Sequence, residues 1–416
     1  MKILALFGLG LALWAGAAEA EEAPGQPPPP YDFAFDGTVV PTERLVRARM
    51  RIGPNQVGRM VFRIDPERHK NLRADGKLVV DGHSASWEPP RAGGSLRYEF
   101  RVDRLRQASS YDARISEQWV VFRGGDLFPP ARVRALAGSY SHSTLRLRVP
   151  EGWSIAVPYE RLTPGSYKIE NPHRRFDRPT AWMALGHIGV LRERIGGSNI
   201  TVAGPFGQKL RRQDILAMLR WNLPSLRGVL GALPERMLVV GAGDPMWRGG
   251  LSGPSSVFIH AERPLITPDG SSPILHELVH AATGAHSTTD GDWVVEGLAE
   301  LYSIELLVRS RTTSKVRFER VMRRVEARGA QAKLLGRGSH GASTARAITV
   351  LRRLDAELRS RTEQQKTLDD VVAELTRKRQ PVSTASFRAT AEQVSGLELG
   401  AFFKAQVEPI LERNRQ

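Results

Sequence analysis

The sequence contains no cysteine among its 416 residues. Disulfide bonds, thiolate catalysis and cysteine-ligated zinc are therefore excluded, and stability must come from hydrophobic cores and from any metal held by other side chains. After the first twenty residues, no apolar run is long enough to cross a bilayer, which takes about 20 residues. Acidic residues are the minority charge, with 44 Asp and Glu against 60 Lys and Arg. The length of 416 residues predicts two or three domains, and the 41% hydrophobic content is ordinary for a globular protein.

The N-terminus has the three parts of a secretory signal peptide. Lys2 supplies positive charge, residues 3–16 are apolar, and small residues flank a cleavage site after Ala20. The apolar run is too short for a membrane anchor. We therefore predict a signal peptide over residues 1–20 and export to a periplasm or out of the cell. Four prolines end the segment 21–30, which predicts an extended linker.

The rest of the chain changes character near residue 175. From residue 31 to residue 175, short runs alternate apolar and polar residues, as in 95–102 and 144–149. This period of two predicts an antiparallel β-sandwich domain. From residue 176 to residue 416, the spacing predicts a mainly helical domain with short strands near 237–240 and 257–259. The fold class is therefore predicted to be α+β.

The second domain contains a metal-binding pattern, His276-Glu277-Leu278-Val279-His280. Residues four apart on a helix project from one face, so the two imidazoles can bind one ion. Glu277 lies beside the first histidine, where its carboxylate can act as general base on a zinc-activated water. Pro273 and Gly284 mark the expected ends of this helix.

The next predicted helix supplies two more carboxylates, Glu296 and Glu300. Catalytic zinc takes three protein ligands and keeps one position open, and two histidines with one glutamate are an established set. Glu296 is the expected third ligand to a single Zn²⁺. Glu300 lies one turn later on the same face and is expected to accept the far N–H of a ligating histidine. A solvated acidic face is the alternative for this pair.

The pattern His276-Glu277-x-x-His280 followed by Trp293-x-x-Glu296-Gly-x-Ala-Glu300 resembles the gluzincins, the thermolysin-like clan of zinc metallopeptidases. Within that clan, the chain is most similar to the glycyl aminopeptidase family. Residues 87–94 resemble that family's N-terminal β-domain, and residues 367–372 and 387–403 resemble its C-terminal helices. The resemblance implies a β-domain packed against a thermolysin-like, mainly helical catalytic domain, which cleaves peptide or protein substrates.

Two departures from the family bear on activity. The family has a tyrosine that steadies the oxyanion, whereas this chain has His340 in the corresponding stretch. His340 is either a tentative oxyanion donor or a polar surface residue, and Tyr302 is either another donor or a packing residue. The family's amine-binding acid is also missing from residues 249–253, so endopeptidase and aminopeptidase activity both stay open. We expect the strand 256–260 to pair with an extended substrate, and His286 to be a loop residue.

The leading hypothesis is an exported zinc metallopeptidase. The alternative is a catalytically weak, zinc-bearing envelope protein that binds anionic polymers or protein partners. The net charge of +16 motivates the anionic envelope polymers as possible partners through a basic surface. Nucleic acid is not expected, because no nucleic-acid motif accompanies the charge.

Overall fold

The computed structural model describes residues 30–54, 56–135, 139–169, 176–288, 290–332, 335 and 341–411. The predicted signal peptide, residues 1–20, and all but the last residue of the predicted linker lie outside this part of the chain. His340 lies outside it too. No helix within the described ranges has the length and apolar character needed to cross a membrane.

The N-terminal part of the chain consists almost entirely of strands. Its first ten strands are β1 (Tyr31–Val40), β2 (Leu45–Ile52), β3 (Arg59–Arg63), β4 (His69–Ala74), β5 (Lys77–Asp81), β6 (Ser84–Glu88), β7 (Gly94–Arg101), β8 (Arg104–Gln107), β9 (Ser110–Ile115) and β10 (Trp119–Arg123). There follow a one-turn helix and six more strands, α1 (Gly124–Leu127), β11 (Ala131–Arg134), β12 (Ser141–Arg148), β13 (Ser154–Ala156), β14 (Glu160–Thr163), β15 (Ser166–Ile169) and β16 (Trp182–Gly186).

These strands form three sheets. The largest has the order β14-β15-β12-β1-β2-β7-β4, the second β13-β16-β10-β9-β8, and the third β11-β3-β6-β5. Pairing is antiparallel apart from the central β1–β12 pair, which is parallel. Side chains along β12 alternate between the two faces of the sheet: Leu145 and Leu147 lie in the core, whereas Arg146 and Arg148 are exposed. Packed aromatic residues such as Phe33, Phe35 and Phe62 fill the interior.

A fourth, mixed sheet begins the C-terminal part. Its elements are β17 (Ile188–Ile195), β18 (Ser198–Pro205), the helix α2 (Arg212–Leu230), β19 (Arg236–Ala242), β20 (Gly250–Gly253) and β21 (Ser256–His260). The strand order is β17-β18-β19-β21-β20, so that β20 forms one edge. β18, β19 and β21 run parallel, and α2 makes the crossover between β18 and β19.

The remainder of the described chain is helical. The helices are α3 (Pro273–Thr283), α4 (Asp292–Arg309), α5 (Lys315–Gly329), α6 (Ala342–Arg361), α7 (Leu368–Lys378), α8 (Thr384–Ser395) and α9 (Gly400–Gln406). Their apolar faces and the inner face of the fourth sheet share one hydrophobic core, which includes Leu219, Leu275, Trp293 and Leu351. The α+β class, with sheets first and helices after, is confirmed. The predicted boundary at residue 175 stays a prediction; β16, which follows it, pairs with β10 and β13.

A smaller hydrophobic cluster joins the two parts. Trp182 from β16 packs its ring 5.2 Å from the ring of Phe258 on β21. Trp119 and Val121 from β10 and Leu238 from β19 belong to the same cluster. Because large buried side chains from both sides pack together there, the N-terminal sheets support the sheet that leads into helices α3 and α4.

Candidate metal centre and cleft

The His-Glu-x-x-His pattern lies on α3, whose ends are fixed by local chemistry. The Ser272 side chain caps the first turn by accepting a bond from the Leu275 amide, and Pro273 occupies the first helical position. Gly284 ends the helix in the left-handed conformation that glycine adopts without strain. Both predicted helix ends are confirmed. Because the opposite face of α3 is apolar and buried, His276 and His280 are directed toward the neighbouring helix α4.

The structure brings the three predicted ligands together. The Nε2 atoms of His276 and His280 are 3.2 Å apart. One oxygen of Glu296 lies 3.4 Å from Nε2 of His276, and the other lies 3.5 Å from Nε2 of His280. Within the described residues, this is the one group of three or more His, Asp or Glu side chains placed to hold a metal ion. The donors come from two different helices, so the site exists only when α3 and α4 pack together.

Glu300 lies behind the first histidine, as the sequence predicts. Its Oε2 is 2.9 Å from Nδ1 of His276, and the two side chains are only 29% and 18% exposed. A carboxylate at this atom accepts the Nδ1–H, which leaves the lone pair of Nε2 free for a metal and increases its basicity. The hydrogen bond therefore selects the tautomer that the site needs.

The electrostatics of this group favour a cation. Burial alone would lower the pKa of His276, but its hydrogen bonds to Glu296 and Glu300 outweigh burial and raise the pKa to about 10. Burial would likewise raise the pKa of Glu296, yet both imidazoles hold that pKa well below its ordinary value. The pKa of Glu300 is lowered in the same way by His276. Ionised carboxylates around paired imidazoles stabilise positive charge between them.

Glu277 faces a cleft of about 550 Å³ that also contains His276, Glu296 and Glu300. The edge strand β20 forms one wall. A Cβ atom placed on Gly250 would lie 2.8 Å from Cγ of Glu277 and 3.2 Å from its Oε1, so this glycine allows the carboxylate to approach the strand. The arrangement places the predicted general base between the metal-ligand group and an exposed strand edge.

The prediction that the strand 256–260 pairs with a substrate was wrong. Residues 256–260 form β21, which is bonded to β19 on one side and to β20 on the other, so neither edge is open. The open edge belongs to β20, Gly250–Gly253, whose glycine-rich sequence carries no strand signal. Only the pairing order of the sheet, which joins distant parts of the chain, shows which strand is outermost.

Three other residues were considered for the site from the sequence: Tyr302, His286 and His340. Tyr302 is not an oxyanion donor, because its buried hydroxyl donates to Asp369 at 2.6 Å and its pKa is raised well above 10 by burial. His286 is exposed in the loop after α3, as expected. His340 lies outside the described residues, so its tentative role stays a prediction; Gly341, which follows it, lines the cleft.

Two supporting residues were missed by the sequence reasoning. The indole N–H of Trp182 donates to the backbone oxygen of Leu251 at 3.0 Å, which ties β20 to the N-terminal sheets. Trp247 also lines the cleft, and the guanidinium of Arg106 lies 4.1 Å from its ring centroid. Both contacts join residues more than 60 positions apart, and no local pattern in the sequence marks such pairs.

The donor set fits zinc. Bonds of about 2.0–2.1 Å in a tetrahedral site place neighbouring ligand atoms about 3.3 Å apart, which matches the separations of 3.2, 3.4 and 3.5 Å. Two imidazole nitrogens and one carboxylate, with Glu300 supporting His276 and a cleft on the open side, are the arrangement of catalytic rather than structural zinc.

This arrangement of His276, His280 and Glu296 on two packed helices, beside a mixed sheet, is that of the gluzincin class of metallopeptidase folds. Comparison with solved structures identifies which branch of the class the fold matches. An aminopeptidase N family protein from Idiomarina loihiensis superimposes with a TM-score of 0.70 at 15% identity, over 91% of this chain and 76% of that one.

An M1 zinc metallopeptidase from Deinococcus radiodurans matches with a TM-score of 0.60 at 16% identity, over 92% of this chain and 94% of that one. A mutant of the Deinococcus enzyme bound to a Tyr-Ser-Ala substrate matches with a TM-score of 0.61 at 17% identity, over 92% and 96% of the two chains. No protein-family model and no curated protein sequence matches the chain. The chain thus has the fold of M1 zinc metallopeptidases, which confirms the predicted gluzincin architecture. The narrower likeness to glycyl aminopeptidases stays a prediction.

Proposed function

We propose that this protein is an exported, zinc-dependent metallopeptidase. One observation carries the proposal: His276, His280 and Glu296 converge within 3.2–3.5 Å of one another while Glu277 faces the cleft beside them. The M1 fold supports it, since the solved neighbours include a peptidase bound to a tripeptide substrate. We assign His276, His280 and Glu296 as the ligands of one Zn²⁺.

Zinc bound by these residues would supply Lewis acidity, polarising the scissile carbonyl and lowering the pKa of water. Glu277 then takes a proton from the attacking water and delivers it to the leaving nitrogen. Glu300 keeps His276 in the tautomer with Nε2 unprotonated. General acid–base catalysis of this kind contributes about 100-fold to 10 000-fold to the rate.

The substrate backbone binds along β20. The outer side of this strand is unpaired in the sheet, and an extended peptide can add to it as a further strand. Gly250 lies closest to Glu277, so the scissile bond is placed opposite the first residue of β20. Side chains of Trp247, Arg263 and Arg328 line the rest of the cleft and contact the residues that flank this bond.

The test uses purified protein and a mixed peptide library. The protein is assayed for zinc content and for cleavage with and without a chelator, and each product is sequenced. We expect one zinc per chain and chelator-sensitive cleavage. Parallel libraries with blocked and free N-termini separate endopeptidase from aminopeptidase action, which the missing amine-binding acid leaves open.

Two variants make this test specific. Glu277→Gln should retain its zinc and lose at least about 100-fold in kcat, because it keeps the shape of the side chain and loses the base. Glu319→Gln, an exposed residue on α5, is the matched control and should behave as the unaltered protein. Full activity of zinc-loaded Glu277→Gln would contradict the assignment. Stoichiometric zinc without any cleavage would favour the alternative, a zinc-bearing envelope protein of binding function.

Export rests on the predicted signal peptide alone. We propose that cleavage follows Ala20 and that the processed protein is periplasmic or secreted. N-terminal sequencing of the protein recovered outside the cytoplasm should begin at Glu21. Recovery of the protein in the cytoplasmic fraction with residues 1–20 retained would contradict this proposal.

A further inference from the structure

The outward face of the large N-terminal sheet carries an unusual row of charges. Directly paired residues on five adjacent strands, β12, β1, β2, β7 and β4, point to the same side of the sheet. Their register places the following residues side by side: Arg146, Asp36, Arg49, Arg97 and Arg73. Neighbouring strands are about 4.8 Å apart, so the row spans about 19 Å across the sheet.

The next row on the same face repeats the pattern; it lies two residues along β12, β1, β2 and β7, and three along β4, where the register shifts. Its members are Arg148, Thr38, Arg47, Glu99 and Lys70. Seven of the ten positions in the two rows are basic and two are acidic. We call these ten positions the arginine face.

Like charges on this face are held close together. Arg49 lies directly opposite Arg97, and Arg97 lies directly opposite Arg73. The guanidinium groups of Arg49 and Arg97 both donate to the Ser95 hydroxyl, at 3.0 and 3.1 Å. Like charges in directly opposed cross-strand positions destabilise a sheet. The sheet therefore accepts a cost in stability that a bound anion would relieve.

The acids near the arginine face do not neutralise it. Asp36 lies 2.9 Å from Arg51 and 4.0 Å from Arg148, so one carboxylate serves two guanidiniums. Asp75 is 3.4 Å from Arg97. Within the described residues, three exposed arginines of the face form no ion pair within 4.0 Å, namely Arg49, Arg73 and Arg146, although Asp36 lies directly opposite Arg49 and Arg146 in the register. Apart from the bond from Arg49 to Ser95, their guanidinium donors are available to a ligand.

An open cleft of about 1290 Å³ adjoins the arginine face. Arg49, Arg51 and Thr144 form part of its floor, and Tyr140 and Leu162, 39% and 50% exposed, lie on its walls. Of the ten positions of the arginine face, only Arg49 lines this cleft, whose other charged residues are Arg51, Lys168, Asp32, Asp75 and Glu160. No cluster of apolar side chains projects from the two rows to insert into lipid, so a membrane surface is a poorer partner for the face.

We propose that the arginine face binds a linear acidic polysaccharide with one carboxylate on each sugar. A sugar ring is about as long as the spacing between strands, so a chain lying across β12, β1, β2, β7 and β4 presents carboxylates at the interval of the row. Arginine pairs with carboxylates through two parallel hydrogen bonds. Single-stranded nucleic acid is less suited, because none of the ten positions has an aromatic side chain on which bases could stack. The site is remote in sequence from the metal-ligand group and does not depend on peptidase activity.

The test measures binding of full-length protein to polygalacturonate near 0.15 M salt, with neutral dextran as the negative probe. The variant Arg49→Gln/Arg73→Gln/Arg146→Gln removes the three unpaired cations. Three exposed ion pairs together are worth about tenfold in affinity, so we expect about a tenfold loss. The matched control is Arg320→Gln/Arg323→Gln/Arg324→Gln, which removes the same charge from exposed positions on α5 and should leave affinity within about twofold.

Two further readouts separate binding from folding. The first variant removes the repulsion of Arg49 and Arg73 against Arg97, and it also removes two charges opposite Asp36, so its Tm should stay close to that of the unaltered protein while its affinity falls, an outcome that a merely structural role would not give. Should the triple variant fail to fold, Arg146→Gln alone is expected to lose about twofold in affinity. Peptide cleavage should be the same in all of these proteins.

Three outcomes would overturn the proposal. Equal weakening by the α5 variant would show that net charge, and not the arginine face, attracts the polymer. Tighter retention of double-stranded DNA or of phosphatidylglycerol vesicles than of polygalacturonate would assign the face to another class of partner. Binding to polygalacturonate that is unchanged in the arginine-face variant would place the binding site elsewhere.

Discussion

Single side chains behind the proposed zinc ligands set the protonation state of the site. His276 uses Nε2 toward the other ligands because its Nδ1 lies 2.9 Å from Glu300. Glu300→Gln keeps an acceptor of similar shape but removes the negative charge. We expect zinc affinity to fall about 10-fold to 100-fold, with cleavage partly recovered in excess zinc. Competition with a fluorescent zinc chelator measures the affinity, and Glu398→Gln, an exposed acid elsewhere, is the control. Unchanged zinc affinity in Glu300→Gln would contradict a supporting role for this carboxylate.

Gly250 matters because of the space it leaves. An added Cβ would approach Cγ of Glu277 to 2.8 Å, so Gly250→Ala must displace the carboxylate. Displacement of a catalytic group by about 1 Å costs about 100-fold in rate. We expect kcat to fall about 10-fold to 100-fold in Gly250→Ala with zinc content unchanged. Gly228→Ala, where an added Cβ meets open space, is the control and should retain full activity. Loss of zinc from Gly250→Ala would instead indicate a general disruption of the site.

The metal-ligand group could be predicted from the sequence because its geometry is local. His276 and His280 are one helical turn apart, and Glu296 and Glu300 are another such pair. Helical periodicity alone therefore fixes which face each pair shares. The role of Gly250 could not be predicted, since it depends on how close a distant strand comes to Glu277. The partner of Tyr302 was missed for the same reason, because Asp369 follows it by 67 residues.

Among the elements, α7 is held to α4 by charged hydrogen bonds. Asp369 on α7 accepts bonds from Tyr302 and from Arg309, both at 2.6 Å. Burial would raise the pKa of Asp369, but these donors outweigh it and lower the pKa. A carboxyl group with a lowered pKa stabilises the fold above its unfolded pKa of about 3.9, and this stability is lost as the pH falls through the folded pKa.

Asp369→Asn should therefore destabilise the protein by about 2 kcal/mol at pH 7, because the Tyr302 hydroxyl and Arg309 both lose the charged acceptor that they share, although Arg309 keeps its ion pair with Glu305. The difference from the unaltered protein should stay constant from pH 7 down to about 4 and should shrink as the pH falls below the unfolded pKa of Asp369, about 3.9. Urea unfolding at several pH values measures this difference in the free energy of unfolding, and Asp214→Asn, at an exposed position, is the control. A difference that does not change with pH would rule out ionised Asp369 as the cause.

The order of the strands in the fourth sheet could not be predicted from the sequence. Alternation predicted the strands of the N-terminal sheets, and short apolar runs predicted β19 and β21. β20, Gly250–Gly253, has no such pattern, because its conformation is set by pairing with β21. The substrate-pairing strand was therefore predicted to be β21, whereas the open edge of the sheet is its neighbour β20. Pairing between strands depends on residues far apart in the sequence, whereas the strand propensity of a segment depends only on its own residues.

At the scale of the whole molecule, the N-terminal sheets position the catalytic cleft. The backbone of Trp182 donates to Ser256 at 2.9 Å, and its indole donates to Leu251 on β20 at 3.0 Å. Its ring also packs on Phe258. Trp182 on β16 therefore contacts both the edge strand β20 and its neighbour β21. The β-rich part of the chain therefore fixes the position of the strand beside Glu277 without contributing a residue to the metal-ligand group.

Trp182→Phe tests this link, because phenylalanine keeps an aromatic ring against Phe258 and lacks the indole N–H. The backbone oxygen of Leu251 then loses the indole donor and keeps only its pairing with Phe258 on β21, at a cost of about 0.5–1.5 kcal/mol, and β20 is freer to shift away from Glu277. We expect kcat/KM to fall about tenfold while zinc content stays at one per chain. Trp221→Phe, which alters a tryptophan that is 60% exposed on α2, should change neither quantity. If Trp182→Phe lowers the Tm but leaves kcat/KM unchanged, the N-terminal sheets stabilise the catalytic part without positioning its edge strand. If kcat/KM falls with zinc retained, the two parts of the molecule form a single catalytic unit.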